Sequence, residues 1–203
     1  MQPSSSAVPT RDRILDVAME LFSTRGFRGT SITQIEKAAG LTPGAGGIYH
    51  HFRTKEDLLK AGIARQLARL DAVRTIKDAL GPLGDIRAEL TVFARYTLAE
   101  LDRERELIQI MAAESRNHPG LLGEACNAIF GTALQQFADL LRRAGLPEER
   151  APLIASIGFG ALTSRKTLHI AFGPEAVSPF PEIDDDSYID AWIDMMETLL
   201  ATP

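Results

Sequence analysis

The chain has 203 residues, 45% of them apolar, and a formal net charge of −5. This describes a globule with a real core. No apolar run is long enough for a membrane helix and the first residues lack the apolar stretch of a signal peptide, so a membrane is excluded and the cytoplasm is the expected location. A single cysteine, Cys126, excludes an intrachain disulfide and reads as a buried, inert thiol. No Cys or His cluster has metal-ligand spacing, so neither metal nor cofactor is expected.

Residues 1–9, small, polar and proline-bearing, read as a disordered tail. A first helix follows, on which Ile14, Leu15, Ala18, Leu21 and Phe22 form one apolar stripe that stops near Gly26. Ser31 and Gln34 make a capping box at the start of a short second helix, which buries Ile32, Ile35 and Ala39 and ends at Gly40. Thr42-Pro43 reads as N-cap and N1 of a third short helix, running to about His51. Thr54 and Asp57 cap a fourth helix, which carries Leu58, Leu59, Ile63, Leu67 and Leu70 towards Gly81-Pro82 and links two domains, 10–56 and 57–203. Beyond Gly84, helices are predicted at about 85–102, 104–116, 120–144, 148–172 and 186–201. They are separated by Asn117-His118-Pro119, Gly145-Leu146-Pro147 and a proline-rich stretch from Gly173 to Asp186. No period-two run announces a strand. The expected fold is all-α: an N-terminal three-helix unit with a helix-turn-helix, then a larger helical domain.

Two short helices joined by a tight turn and buttressed by a third are the layout that sets a recognition helix in a DNA major groove. Charge agrees: residues 1–60 carry eight Lys/Arg against six Asp/Glu, and the rest fourteen against twenty-one, a pattern suited to a DNA-facing module on an acidic body. Thr30 and Ser31 put hydroxyls and N–H groups at a helix start, a natural phosphate site, and Tyr49, His50, His51 and Lys55 add donors near the third helix.

The segment Gly26-Phe27-Arg28-Gly29-Thr30-Ser31-Ile32, Ile35, Ala38-Ala39-Gly40-Leu41-Thr42, Ile48-Tyr49-His50-His51-Phe52 and Lys55-Glu56-Asp57-Leu58-Leu59 closely resembles the N-terminal domain of the TetR family of transcriptional regulators. The resemblance implies a homodimer on a palindromic double-stranded DNA operator. It also implies a helical C-terminal domain whose small-molecule effector changes the separation of the two reading heads. The function expected is a sequence-specific regulator, a repressor released by its effector. Past residue 60 the likeness rests on helical layout and the Glu114, His118-Pro119 stretch.

Two features depart from the family. Between Gly40 and Tyr49 the family usually has two residues fewer, and Gly44-Ala45-Gly46-Gly47 fill the addition here. Where the family mostly has Ala, four residues before the turn glycine, this chain has Glu36, which either caps free N–H groups at the start of the third helix or is a solvated side chain on an exposed face. The glycines occupy the usual base-reading positions and cost a helix about 1 kcal/mol each relative to Ala, so an irregular third helix and sparse direct readout follow. Specificity would then come from the Ala45 methyl, from Thr33, Gln34 and Thr42 at the groove edge, from close backbone approach at Gly46 and Gly47, and from DNA shape. The alternative is that the glycines only accommodate a longer turn and the contacts shift to His50.

Phe93, Tyr96, Met111, Phe130, Leu134 and Phe137 are candidate effector-lining residues, although apolar residues at helical spacing are more often core. For the dimer, the last two helices offer Ile157, Phe159, Leu162 and Leu168 with Tyr188, Trp192, Met195, Met196 and Leu199, and Gly158 and Gly160 would permit close approach. His118 and His169 have no partner at catalytic or metal spacing. The run Glu182, Asp184, Asp185, Asp186 lacks the alternation of a calcium loop and reads as a solvated linker before the last helix. No nucleophile elbow, phosphate loop or acid–base pair points to an enzyme. A helical interaction module, or an enzyme without a recognisable signature, is the competing reading.

Overall fold

The computed structural model describes residues 9–78, 84–173 and 183–201, the side chains of 70–78 excepted. Residues 1–8 of the expected tail, the side chain of Leu70 on the fourth-helix stripe, the Gly81-Pro82 break and residues 174–182 of the proline-rich stretch, Glu182 among them, lie outside this description. The described elements are helices, in the order α1 (Thr10–Arg25), α2 (Ile32–Ala38), a 3₁₀ turn (Gly47–His50), α3 (Lys55–Asp78), α4 (Ile86–Arg103), α5 (Arg105–Glu114), α6 (Pro119–Cys126), a π turn (Asn127–Gly131), α7 (Thr132–Arg143), α8 (Ala151–Phe172) and α9 (Asp185–Ala201). Among them, no helix is long and apolar enough to cross a membrane.

Two cores organise the chain. The first gathers Ile14, Leu15, Ala18 and Phe22 of α1, Ile35 of α2, Ile48 of the 3₁₀ turn and Leu58, Leu59 and Ile63 of α3. It also takes Leu107 and Ile110 from α5 and Leu122, Ala125 and Ile129 from α6 and the π turn, so the N-terminal helices are seated directly on the body. The second core joins α4, α7, α8 and α9. Phe93 stacks on Phe137 with centroids 4.4 Å apart, and Trp192 lies 5.5 Å from Phe137. The Trp192 indole N–H donates to Gly158 O at 2.7 Å. A Cβ at Gly158 would lie 2.6 Å from Met196 Sδ, so that glycine serves the contact between α8 and α9 within one chain.

The run expected as one helix from 120 to 144 is α6, π turn and α7 in continuous succession. A Cβ at Gly131 would lie 2.3 Å from Asn127 Oδ1, so glycine makes room for the Asn127 side chain inside the wide turn. Ion pairs lace the body: Lys166 Nζ meets Asp102 at 2.7 Å and Asp185 at 2.9 Å, and Arg87 meets Asp194 and Glu197. The acidic run therefore does more than remain solvated. Asp184 caps Ser187 N–H at 2.7 Å, while Asp185 and Asp186 pair with Arg165 and Arg95. Cys126 is exposed, contrary to the buried thiol expected, because it lies on the solvent side of α6 while Ala125 takes the core position.

Candidate nucleic-acid interface

The capping box forms as expected: Ser31 Oγ accepts from Gln34 N–H at 3.2 Å and Gln34 Oε1 accepts from Ser31 N–H at 2.7 Å. The next turn departs from expectation. After α2, Gly40 takes φ +70°, and Leu41 N–H closes on Glu36 O at 2.8 Å, a glycine-terminated helix end. Thr42-Pro43 does not open a helix. Thr42 to Ala45 make a hydrogen-bonded turn, and Gly44 and Gly46 sit at φ +78° and +73°, a backbone region closed to right-handed helix. Only Gly47–His50 coil, as a single 3₁₀ turn plugged into the core by Ile48.

Glu36 holds this turn. Its side chain is 1% exposed; Oε2 accepts from Gly44 N–H at 2.8 Å and Oε1 lies 3.5 Å from Ile48 N. The carboxylate thus caps backbone, and the solvated alternative is excluded.

Two residues expected at phosphates are occupied inside the protein. Thr30 is buried, and its one hydroxyl proton has Gly26 O at 2.9 Å and Leu21 O at 3.1 Å as acceptors inside the protein. Lys55 Nζ donates to Phe27 O at 2.7 Å and Thr30 O at 2.9 Å, and rests 4.2 Å from the Phe27 ring centroid. Both depart from the sequence expectation for the same reason: these side chains bond to main-chain carbonyls at the end of α1 and in the loop after it. Ser31, Thr33, Gln34, Thr42, Ala45, Tyr49, His50 and His51 are exposed, with Gly46 and Gly47 half-buried. Sequence reasoning missed Arg53, an exposed cation two residues beyond His51, whose charge beside the aromatic run was the available signal.

The body grips the same loop. Glu114 Oε1 accepts from Phe27 N–H at 3.2 Å, Arg28 donates to Asn117 Oδ1 at 3.2 Å, and the His118 ring stands edge-on to Phe27 at 5.1 Å. His118 is therefore a packing group. His169 is exposed on α8.

Of the expected effector residues, Phe93, Tyr96 and Phe130 line a cavity of about 20 Å³ between α4, the π turn, α7 and α8, room for little more than one water. Met111, Leu134 and Phe137 do not line it. Phe137 is fully buried in the aromatic stack, and Met111 and Leu134 pack on the cores. Glu100, Glu104 and Gln136 add polar walls that sequence reasoning missed. The signal was the recurrence of 93, 96, 100 and 104 on one face of a helix. Among the described residues, no group of His, Cys, Asp and Glu could hold a metal ion.

The expected dimer residues divide. Phe159, Leu162, Trp192 and Met196 are between 0% and 7% exposed and belong to the chain's own core, because α9 packs on α8 within the chain. Tyr188 reaches back to Ala161 O, and Met195 and Leu199 are half-buried. Ile157 and Leu168 are exposed, in register on α8 with exposed Leu153, Gly160 and Ser164. A Cβ at Gly160 meets nothing within 4 Å.

Residues 14–61 match the family described as bacterial regulatory proteins, tetR family. The chain is 30% identical over 169 residues to the HTH-type transcriptional regulator UidR of Escherichia coli K12, covering 83% of this chain and 81% of that one. A putative TetR-family transcriptional regulator from Mesorhizobium loti superposes with a TM-score of 0.70 at 22% identity, over 95% of each chain. FadR from Bacillus subtilis, in complex with stearoyl-CoA, superposes with a TM-score of 0.62 at 18% identity, over 91% of this chain and 96% of that one.

Proposed function

This chain belongs to the tetR family of bacterial regulatory proteins, and from that premise we propose that it is a sequence-specific DNA-binding transcriptional regulator, a repressor that a small-molecule effector releases from its operator. The observation that carries the DNA-binding reading is the reading turn. A well-held loop and helix start leave Ser31, Thr33, Gln34, Thr42, Tyr49, His50 and His51 exposed, a set of hydrogen-bonding and aromatic groups suited to phosphate positioning and groove-edge contact. Thr30 and Lys55 support this surface from within.

A second copy covers the exposed stripe Leu153, Ile157, Gly160, Ser164 and Leu168 of α8, so that two reading turns meet a palindromic site. The effector enters between α4, the π turn, α7 and α8, and the small volume there means that binding opens the cavity. Its walls favour an apolar body, with Glu100, ion-paired to Arg103, Glu104 and Gln136 as the polar groups among them.

Selection of bound duplexes from a random DNA pool tests the reading. The expected result is one enriched inverted repeat, bound with a strong salt dependence. Recovery of no sequence above background, at low salt and micromolar protein, would overturn it.

A further inference from the structure

Glu36 is a buried carboxylate whose hydrogen-bond partners are backbone N–H groups of the reading turn. Such burial is costly unless the charge is well bonded. Between Leu41 and Ile48, which both pack on the first core, the chain carries glycines at 44, 46 and 47, an exposed Thr42-Pro43 and an exposed Ala45. No side chain in that stretch anchors it to the core. Gly44 and Gly46 both occupy the left-handed region, and glycine loses more freedom on ordering than any other residue. The Glu36 bond to Gly44 N–H at 2.8 Å is therefore a tie at the middle of the turn, and the longer approach to Ile48 N marks its far end.

We infer that Glu36 is a positioning residue for operator reading: it fixes the exposed turn 42–46 in one conformation before DNA arrives, without touching DNA itself. The inference rests on the reading of 42–51 as the DNA-facing surface. A carboxylate suits the task because both of its oxygens accept, so it serves two N–H groups at once. Gln keeps one acceptor and turns an amide against the other N–H, and Ala keeps none. When the competent turn is only a fraction of the population, apparent operator affinity falls by that fraction. Non-specific binding, carried by charge along the backbone, does not fall with it.

The test uses full-length Glu36→Gln and Glu36→Ala variants, with the duplex recovered by selection and a scrambled duplex of equal length. Operator affinity is expected to fall about 10- to 100-fold for Glu36→Ala, the size of a lost hydrogen bond to a charged group, and less for Glu36→Gln. Scrambled-duplex affinity should stay within about twofold. Amide exchange in the DNA-free protein gives an independent readout. Gly44 should exchange at least about tenfold faster in Glu36→Ala, with Gln34, capped by Ser31, unchanged. Equal weakening on both duplexes, unchanged operator affinity in both variants, or unchanged Gly44 exchange would each overturn the inference. If Glu36→Ala does not fold, the isosteric Glu36→Gln decides by the same readouts. If the unmodified protein prefers no sequence, the DNA-facing assignment falls and takes the reading role with it, whereas unchanged Gly44 exchange removes the tie alone.

Discussion

In the N-terminal region the buried Glu36 and Thr30 and the half-buried Lys55 all bond to backbone, whereas in the body Phe93, Phe137 and Trp192 fill the interior by ring packing and carboxylates such as Asp102 and Asp185 pair with side-chain cations. The difference follows from the length of the elements. A seven-residue α2 and a four-residue 3₁₀ turn leave many N–H and C=O groups unpaired at their ends, and something buried must satisfy them. Helices of 18 and 22 residues, such as α4 and α8, satisfy most of their own backbone, so apolar groups can fill the space between them. In this short-element motif Thr30, Glu36 and Lys55 hold the shape of the backbone.

The comparison can be broken at either end. The largest effect is expected in the body: Trp192→Ala removes a ring that is 3% exposed and bonded to Gly158 O, and should cost about 3–5 kcal/mol in urea unfolding. A loss below about 1 kcal/mol would show that the ring stack does not carry the body. Next, Ile157→Asp changes a residue that is 51% exposed in the single chain. It should leave the fold within about 0.5 kcal/mol while weakening the dimer about 100-fold by sedimentation; an unaffected dimer would move the interface off α8.

Lys55→Met sharpens the contrast from the N-terminal side. If the ammonium holds Phe27 O and Thr30 O, unfolding stability falls by about 1.5–3 kcal/mol and the salt slope of operator binding stays the same. A slope reduced by about one unit at unchanged stability would return Lys55 to a phosphate. Gly46→Ala and Gly47→Ala separate turn geometry from helix formation. The first forces Ala into φ +73° and should destabilise by about 1–2 kcal/mol. The second places a methyl 3.6 Å from Leu41 Cδ1, an ordinary contact, and should be neutral in stability. If Gly47→Ala then weakens the operator complex alone, backbone approaches DNA at that point.

The smallest effect is electrostatic. Burial raises the Asp102 pKa, but the bonds from Lys166 and Arg105 outweigh it and hold the carboxyl below its ordinary value. A depressed carboxylate contributes stability that is present above its unfolded pKa and lost as pH falls through the folded one. Asp102→Asn should therefore lower stability slightly at neutral pH and above, flatten the acid limb of the stability curve, and leave stability at the most acid pH unchanged.

Much of this was legible in the chain. Apolar periodicity marked α1, α4 and α8, and the Ser31 and Thr54 caps marked helix starts to within a residue or so. What periodicity could not show is direction. Leu162 and Ile157 read alike as apolar positions on α8, yet one faces α9 and the core while the other faces outward, and only the packing of α9 separates them. Likewise Thr30 and Ser31 are adjacent hydroxyls, but the φ +73° turn at Gly26 points the first inward and leaves the second as a cap. The third helix was misread because Thr42-Pro43 is a good start signal. Two glycines in the left-handed region overrule it.

Amide hydrogen exchange of the full-length protein, with and without the selected operator duplex, tests the central claim most directly. The account predicts that the duplex slows exchange at residues 31–34 and 42–51, with a scrambled duplex giving much weaker protection there. Protection confined to other elements, or the same in both duplexes, would contradict the claim that this turn reads DNA.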